Sequence, residues 1–256
     1  MKITFLGTGT SQGVPVIGCT CPVCQSLDFR DRRLRTSVHL EVDGQSLIID
    51  SGPDFRQQVL ANHITQLDGL LFTHQHKDHV AGMDDVRSFN FLQKKAMPIY
   101  ARAAVVEQLE QEFAYVFAKD KYPGVPQIEV HLIENEAFKA QGVPVTPIEV
   151  MHYKLPVFGF RVRDFTYITD AKTISAAEKE KIRGTRVLVL NALQHRQHIS
   201  HLTLEEALEL VTELQPEQTY LTHISHNLGL HREVESALPD NVALAYDGLT
   251  IHLGAS

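Results

Sequence analysis

The sequence predicts an α/β fold with more than one mixed β-sheet, and three observations predict it. Ten short runs rich in β-branched and aromatic residues are separated by turn residues. Five other segments repeat apolar residues at spacings of three and four, the period of a helix. The order of these segments mixes β-hairpins with crossover helices, which fits neither a purely parallel Rossmann sheet nor an all-β sandwich.

The predicted strands are short, and turn residues join some of them directly. They are Lys2–Leu6, Ser37–Val42, Ser46–Asp50, Gly69–Thr73, Val145–Met151, Gly159–Val162, Phe165–Thr169, Val187–Asn191, Thr219–Thr222 and Val242–Tyr246. Asp43-Gly44 is a strong hairpin signal between the second and third runs, and Arg163-Asp164 is expected to close another hairpin. The predicted helices are Asp54–Asn62, Ala101–Phe117, Ser175–Ile182, Leu204–Glu213 and His231–Leu238. Lys119–Pro126 is the expected exposed loop.

Composition restricts the size and the partners of the fold. With 256 residues, 43% of them hydrophobic, we expect a single domain over residues 1–256. A formal charge of -7 argues against a general binder of extended nucleic acid or of an anionic membrane. The apolar stretch Ile3–Leu6 is too short for the core of a signal peptide, and no run approaches membrane-spanning length. We therefore expect a cytoplasmic protein without a membrane partner.

Arginines supply the local basic groups in this acidic chain. Arg30, Arg32, Arg33 and Arg35 form one basic patch, which either attracts a terminal phosphate or is a solvated charged face, the interpretation we favour. Arg87 has two equal interpretations: it holds a substrate phosphate or pairs with an acidic neighbour.

A histidine cluster follows one predicted strand. His74, His76, Asp78 and His79 have the spacing HxHxDH directly after Gly69–Thr73, where functional residues often gather. Imidazole and carboxylate are ligands that suit zinc, manganese or iron. Alternation along an extended segment points His74 and His76 the same way, while Asp78 and His79 can reach a second metal. The spacing therefore favours two adjacent metal sites over a polar surface loop.

The three cysteines of the chain all fall in one short stretch. Cys19, Cys21 and Cys24 form CxCxxC, and an odd number of cysteines cannot pair completely within the chain. The spacing lets three thiolates converge on one tetrahedral metal, and a structural zinc needs a fourth ligand. The alternative is three buried or redox-active cysteines without a metal.

Several motifs in a fixed order resemble the metallo-β-lactamase superfamily, and within it the PhnP-type phosphodiesterases. They are GTGTSQGVPVIGCTCPVC, HxHxDH with GMDDVRSF, HYKLPVFGFRVRDFTYITD, HISHLTLEEAL, and LTHISH with AYDGL. The resemblance covers nearly the whole chain and implies a four-layered αββα sandwich with two mixed β-sheets. The di-iron branch of the superfamily has glutamate at the position of His76, so the histidine in this chain favours the hydrolytic branch.

The resemblance also implies a ligand set. It assigns His74, His76 and His152 to one metal, assigns Asp78, His79 and His223 to the other, and makes Asp170 the bridge between them. It makes His226 the fourth ligand beside Cys19, Cys21 and Cys24. The cofactors expected are two divalent ions, zinc or manganese with iron as a third candidate, and one structural zinc.

The implied activity is cleavage of a small phosphodiester, either nucleotide-like or a sugar-phosphate diester; the related enzymes act on cyclic ribose phosphates. Two adjacent cations can hold a water as hydroxide near neutral pH and can also bind the phosphoryl oxygens. Asp78 is expected to orient this nucleophile or to accept its proton. The leaving alkoxide needs a proton, and His198 is the predicted donor, with His201 in a supporting role. Thr203 is the expected N-cap of the helix that follows, with Glu206 completing a capping box.

Three other functions stay open from the sequence. A tRNA 3′-end nuclease shares the metal loop, but the Gly- and Lys-rich arm of such enzymes has no counterpart between residues 80 and 222. A thioester or lactone hydrolase uses the same kind of centre. A non-catalytic metal-binding subunit has no need for a complete ligand set. The expected partner is therefore a small phosphodiester substrate, and a homodimer, usual in the superfamily, is a candidate assembly.

Overall fold

The computed structural model describes residues 1–254, and within them the chain forms two mixed sheets covered by helices. The first sheet contains β1 (Lys2–Gly7), β2 (Ser37–Val42), β3 (Gln45–Ile49), β4 (Gly69–Leu71), β5 (Met97–Ala101), β6 (Ile128–Leu132) and β15 (Thr250–His252). Their order is β15-β1-β2-β3-β4-β5-β6, antiparallel as far as β3 and parallel from β3 to β6.

The second sheet repeats this change from antiparallel to parallel pairing. It contains β8 (Val143–His152), β9 (Leu155–Val162), β10 (Phe165–Tyr167), β11 (Thr173–Ile174), β12 (Val187–Asn191), β13 (Gln218–Thr222) and β14 (Val242–Leu244), with β7 (Phe138–Ala140) beside β8. The order is β11-β8-β9-β10-β12-β13-β14, and the pairs from β10 to β14 are parallel.

Helices form the two outer layers and the connections. They are α1 (Phe55–Ala61), α2 (Lys77–Val80), α3 (Arg87–Gln93), α4 (Ala103–Glu112), α5 (Ala114–Phe117), α6 (Ala176–Ile182), α7 (Leu204–Leu214) and α8 (His231–Glu235), with 3-10 turns at Phe29–Asp31 and Met83–Val86. None of the helices within residues 1–254 has the length and apolarity needed to cross a membrane.

The alternation of side chains along the strands separates three apolar layers. In β3, Leu47 and Ile49 pack between the two sheets, whereas Ile48 faces the helices of the first sheet. In β12, Val189 packs between the sheets and Leu190 faces the helices of the second sheet. Because strand side chains alternate with a period of two, each central strand supplies two layers. The result confirms the four-layered αββα sandwich.

Turn chemistry sets the hairpins as expected. Asp43 and Gly44 both have positive φ values, 54° and 76°, between β2 and β3, the backbone that a two-residue hairpin requires. Arg163-Asp164 joins β9 to β10, with Arg163 at φ 55°.

The prediction for Ala101–Phe117 was wrong at its start and its centre. Ala101 is the last residue of β5 and pairs with Leu132, and the helical part breaks at Phe113 into α4 and α5. Strands β5 and β6 were missed because β5 has Pro98 near its start and β6 is a largely exposed edge strand.

Candidate metal centre and active site

The loop after β4 brings two histidine side chains into direct contact. His74 Nε2 and His76 Nδ1 lie 3.0 Å apart. The hydroxyl of Thr73 donates to Asp50, so it accepts from His74 Nδ1 at 3.0 Å. The proton of neutral His74 therefore lies on Nδ1, and the lone pair of Nε2 points toward His76. This is the common direction that alternation along the segment predicts.

His79, at the start of the next helix, is held by a buried carboxylate. Its Nδ1 lies 2.7 Å from Asp50 Oδ2, and both side chains are fully buried. Because Nδ1 faces this carboxylate, Nε2 faces the cluster, 3.2 Å from Asp78 Oδ2. A carboxylate behind a histidine fixes its tautomer and raises its basicity as a metal ligand.

His152, the last residue of β8, is oriented by two backbone carbonyls. Its Nδ1 lies 3.1 Å from the carbonyl oxygen of Asp170 and 3.0 Å from that of Ser200. Carbonyls only accept hydrogen bonds, so Nδ1 carries the proton and Nε2 keeps its lone pair. The ring of His152 lies 5.2 Å from that of His76, centroid to centroid, so this distant residue joins the histidine loop.

Asp170, in the loop after β10, and His223, directly after β13, complete the group. Asp170 Oδ2 lies 3.3 Å from His79 Nε2, and its Oδ1 lies 3.2 Å from His223 Nε2. Both residues have left-handed backbones, with φ values of 57° and 55°. This conformation is uncommon outside glycine and concentrates at functional sites, where it turns side chains in directions that regular strands do not allow.

The buried nitrogen atoms of this cluster lack ordinary partners. Within residues 1–254, the atoms without a hydrogen bond include His79 Nε2, His201 Nδ1 and both ring nitrogens of His223. Two atoms that bind one tetrahedral zinc at about 2.1 Å lie roughly 3.4 Å from each other. The distances from Asp170 to His79 and to His223, 3.3 Å and 3.2 Å, are close to this value. Unpartnered buried nitrogens are costly unless something binds them. The residues therefore fit divalent metal ions.

The electrostatics of the cluster also suit cations. Burial lowers the pKa of His74 well below its ordinary value and lowers that of His76, so both imidazoles are neutral, the form that binds metal. Burial opposes ionisation of Asp78 and Asp170, but neighbouring histidines hold the pKa of each carboxyl below its ordinary value. The buried site therefore keeps negative charge, and a bound proton or metal ion would neutralise it.

Three overlapping groups of ligand atoms come together in this cluster. Within each group the ligand atoms all lie within 4.8 Å of one another, and the groups are His74, His79 and Asp170; Asp78, His79 and His223; and His152, Asp170 and His201. Asp170 belongs to two groups and lies between them. Six of the seven predicted dinuclear ligands belong to these groups, and the seventh, His76, contacts His74. His201, which was predicted only in a supporting role, also belongs to one group, and the division of the ligands between two ions stays a prediction.

A second group lies in the loop after β1. His226 Nδ1 lies 3.3 Å from Cys19 Sγ, 3.4 Å from Cys21 Sγ and 3.5 Å from Cys24 Sγ. Sulfur and nitrogen ligands of one tetrahedral zinc are expected about 3.5 Å apart. A hydrogen bond from the backbone N–H of Cys24 lowers the pKa of Cys21 to about 6, so that thiol ionises readily. The four side chains fit a structural zinc site.

The loop between β12 and α7 carries His198 and His201 to the edge of the cluster. The buried ring of His201 lies 4.5 Å from that of His152 and 4.8 Å from that of His223, between centroids. His198 is half-buried and 5.0 Å from His201, and its Nδ1 accepts from Ser200 N–H at 3.3 Å. Thr203 and Glu206 form the expected capping box, which anchors the loop.

Sequence reasoning missed Asp50 and misjudged Arg33 within the basic patch. Asp50 accepts hydrogen bonds from the backbone N–H and the hydroxyl of Thr73, and it also faces His79. Like Asp170, it lies at the end of a predicted strand, and this position was the available signal in the sequence. Arg33 is neither a phosphate anchor nor a solvated residue. It is buried, and donates to Thr8, to the Ala245 carbonyl and to His231. Arg87 is half exposed, 3.7 Å from Asp84.

Comparisons with known proteins agree with this fold and site. Residues 45–224 match the model of the beta-lactamase superfamily domain. An octanoyltransferase of Porphyromonas gingivalis is 38% identical over 252 residues, which are 97% of this chain and 51% of that protein. The chain spans about half the length of the curated relatives it matches first.

Solved structures extend the likeness across the whole fold. The crystal structure of a new diphosphatase from the PhnP family superposes with a TM-score of 0.92 at 40% identity, covering 99% of this chain and 98% of the other. Zn(2+)-bound PqqB from Methylobacterium extorquens has a TM-score of 0.78 at 19% identity, covering 99% and 100%, a likeness of fold.

The chain belongs to the metallo-β-lactamase superfamily. Within that superfamily it is PhnP-like, as its similarity over almost the full length of the PhnP-family diphosphatase shows.

Proposed function

We propose that this protein is a metal-dependent hydrolase that cleaves a small, cyclic phosphodiester. The observation that carries the proposal is the contact between His152 Nδ1 and the Ser200 carbonyl at 3.0 Å. This contact joins the candidate metal cluster to the loop that bears His198, so groups able to activate a nucleophile and to protonate a leaving group share one edge of the fold.

The metal ligands in this proposal are the seven clustered side chains. His74, His76 and His152 would hold one divalent ion, Asp78, His79 and His223 the other, and Asp170 both. Two such ions, when bound, supply Lewis acidity toward a phosphoryl group and toward water. The ionised carboxylate of Asp78 accepts a hydrogen bond and orients the attacking water, because its low pKa makes it a weak base.

His198 is the proposed proton donor. Since its Nδ1 accepts from the Ser200 N–H, its Nε2 carries the proton that is available to a leaving oxygen. Burial lowers the pKa of His198, and the negative charge of a bound phosphodiester acts in the opposite direction. Burial lowers the pKa of His201 to about 3, so His201 stays neutral and serves as a hydrogen-bonding group.

A substituted diphosphate is the second candidate substrate. The protein that is 40% identical over 99% of this chain is described as a diphosphatase of the PhnP family. When the diphosphate is substituted at both ends, each phosphorus carries one ester oxygen and one anhydride oxygen, as a phosphodiester phosphorus carries two ester oxygens, so the same group of side chains suits both reactions. Octanoyl transfer is not carried over from the relative of that name, because 49% of that protein lies outside the 51% that matches.

A substrate screen separates these functions. The protein is loaded with zinc or manganese and assayed on bis(p-nitrophenyl) phosphate, a nucleoside cyclic phosphate, a disubstituted diphosphate, a thioester, a lactone and a tRNA precursor. We expect cleavage of the phosphorus substrates. Turnover of the thioester or lactone alone, or of the tRNA precursor alone, would overturn the proposal.

Two variants test whether the clustered site is responsible. Asp170→Asn removes a central carboxylate at φ 57°, a backbone that asparagine tolerates. Asp43→Asn makes the same change at φ 54° in the exposed β2–β3 turn. We expect Asp170→Asn to lose activity and bound metal and Asp43→Asn to keep both.

A further inference from the structure

The turn after His152 holds a tyrosine in a backbone that does not suit it. Tyr153 and Lys154 form the two-residue connection between β8 and β9, since His152 pairs directly with Leu155. Tyr153 has a φ of 57°, in the left-handed region where glycine and asparagine are preferred and a bulky residue is a rare exception. The fold gains no core packing in return, because Tyr153 is 53% exposed.

The position of this turn suggests a reason for the tyrosine. His152 belongs to the candidate metal cluster, and consecutive Cα atoms are 3.8 Å apart, so Tyr153 lies at the rim of the site. Across His152 lies the loop with His198, connected through the Ser200 carbonyl. An exposed aromatic ring at this rim is available to a ligand whose reacting bond is at the cluster.

The neighbouring lysine lies beside the ring of Tyr153. Lys154 Nζ lies 5.3 Å from the centroid of the Tyr153 ring, within the range of a cation–π contact. The lysine lies near a ring whose residue is 53% exposed, so a ligand can still reach the ring. It also places a positive charge beside the ring, in a chain with a formal charge of -7.

We infer that Tyr153 and Lys154 form a subsite for an aromatic arm of the substrate, so that the preferred diester is a nucleotide rather than a bare sugar phosphate. The base stacks on the ring of Tyr153, and Lys154 attracts the anionic substrate. This inference rests on the proposed function and specifies the substrate class of the same site.

The test compares two variants that each place asparagine at a position with a left-handed backbone. Tyr153→Asn removes the ring and suits a positive φ, whereas Arg163→Asn makes the equivalent change in the β9–β10 turn, at φ 55°. Loss of one base-stacking contact is expected to weaken nucleotide binding roughly tenfold or more. Tyr153→Phe keeps the ring and should keep the affinity.

The measurements separate stacking from stability. We expect Tyr153→Asn to raise the melting temperature by roughly 2–4 °C, while KM for a nucleoside cyclic phosphate rises and KM for the ribose cyclic phosphate without a base stays unchanged. Arg163→Asn should leave the ratio of the two KM values as in the wild type. Lower stability of Tyr153→Asn with an unchanged ratio would show that the tyrosine is a structural residue, and would overturn the inference.

Binding without turnover distinguishes the two proposals. Calorimetry with a nucleoside monophosphate and with ribose phosphate measures the subsite even if the enzyme cleaves neither diester. Cleavage of neither would refute the proposed phosphodiesterase, while weaker binding of the nucleotide to Tyr153→Asn would still support the subsite. Equal affinities of wild type and variant for the nucleotide would refute the subsite alone.

Discussion

His79 Nδ1 lies 2.7 Å from Asp50 Oδ2, although 29 positions separate the two residues. The contact joins the end of β3 to the helix after β4, in a place where both side chains are fully buried. Burial raises the pKa of Asp50, and the nearby His79 opposes that rise. A buried carboxylate thus orients a histidine whose free nitrogen faces the candidate metal cluster.

Removing the charge of Asp50 should weaken metal binding without disrupting the backbone. Asp50→Asn keeps the left-handed conformation at φ 63° but no longer presents a carboxylate to His79. Loss of such an outer partner costs about 10–100-fold in metal affinity or activity. Titration of the apoprotein with zinc measures the affinity, with Asp43→Asn as the control. Unchanged zinc affinity of Asp50→Asn would contradict the role assigned to this contact.

His198→Ala should separate catalysis from metal binding. His198 is outside the groups of clustered ligand atoms, so the variant is expected to keep its active-site metals. Loss of a general acid lowers the rate by about 10²–10⁴-fold. Metal analysis and kcat are measured together, with His195→Ala as the control, since His195 is exposed in the same loop. Full turnover by a metal-loaded His198→Ala protein would refute His198 as the donor.

Cys21→Ser should remove the structural ion and spare the other two. Because Cys21 belongs to a group of ligand atoms that shares no residue with the histidine cluster, the metal content is expected to fall from about three ions per chain to about two, with activity partly kept. Elemental analysis of the purified proteins measures the change, and Thr20→Ser in the same loop is the control. Identical metal contents of Cys21→Ser and wild type would favour cysteines that bind no metal.

The buried His39 should make stability depend on pH. Its Nε2 lies 2.7 Å from Ser46 Oγ, and since that hydroxyl donates to the Gln66 carbonyl, His39 donates as a neutral ring. Burial lowers the pKa of His39 to about 4 from an ordinary value of 6.5. The unfolded chain therefore binds a proton at a higher pH than the folded one, and this stability is present above pH 6.5 and is lost as pH falls toward 4.

Denaturant unfolding at pH 7.5 and pH 5 measures this contribution. We expect the wild type to lose about 2 kcal/mol more of its free energy of unfolding between these pH values than His39→Gln does. His252→Gln, a change at an exposed histidine, should behave as the wild type. Each comparison is made between variants with the same metal loading, so that metal release cancels. Equal pH dependence in His39→Gln and wild type would contradict the assignment.

Local patterns predicted many of the elements well. The runs Ser37–Val42 and Val187–Asn191 coincide with β2 and β12, because the first alternates apolar and polar residues and the second is a short, continuous apolar run, and both patterns are typical of strands. Local patterns also placed Ala101 in a helix, and that prediction was wrong. Ala101 pairs with Leu132 in the strand Ile128–Leu132, which begins 27 residues later in the chain and which the local pattern did not reveal. Pairing between distant segments overrides local preference.

The sequence by itself determined the family, the mixed α/β class and the side chains that gather at one edge, because ligand types and their spacing are local properties of the chain. Only the tertiary structure decided how these side chains are supported: Asp50 behind His79, carbonyls orienting His152, and Arg33 buried rather than exposed. The physical reason is that a hydrogen bond or the burial of a charge depends on which distant backbone and side-chain atoms the packed sheets bring alongside.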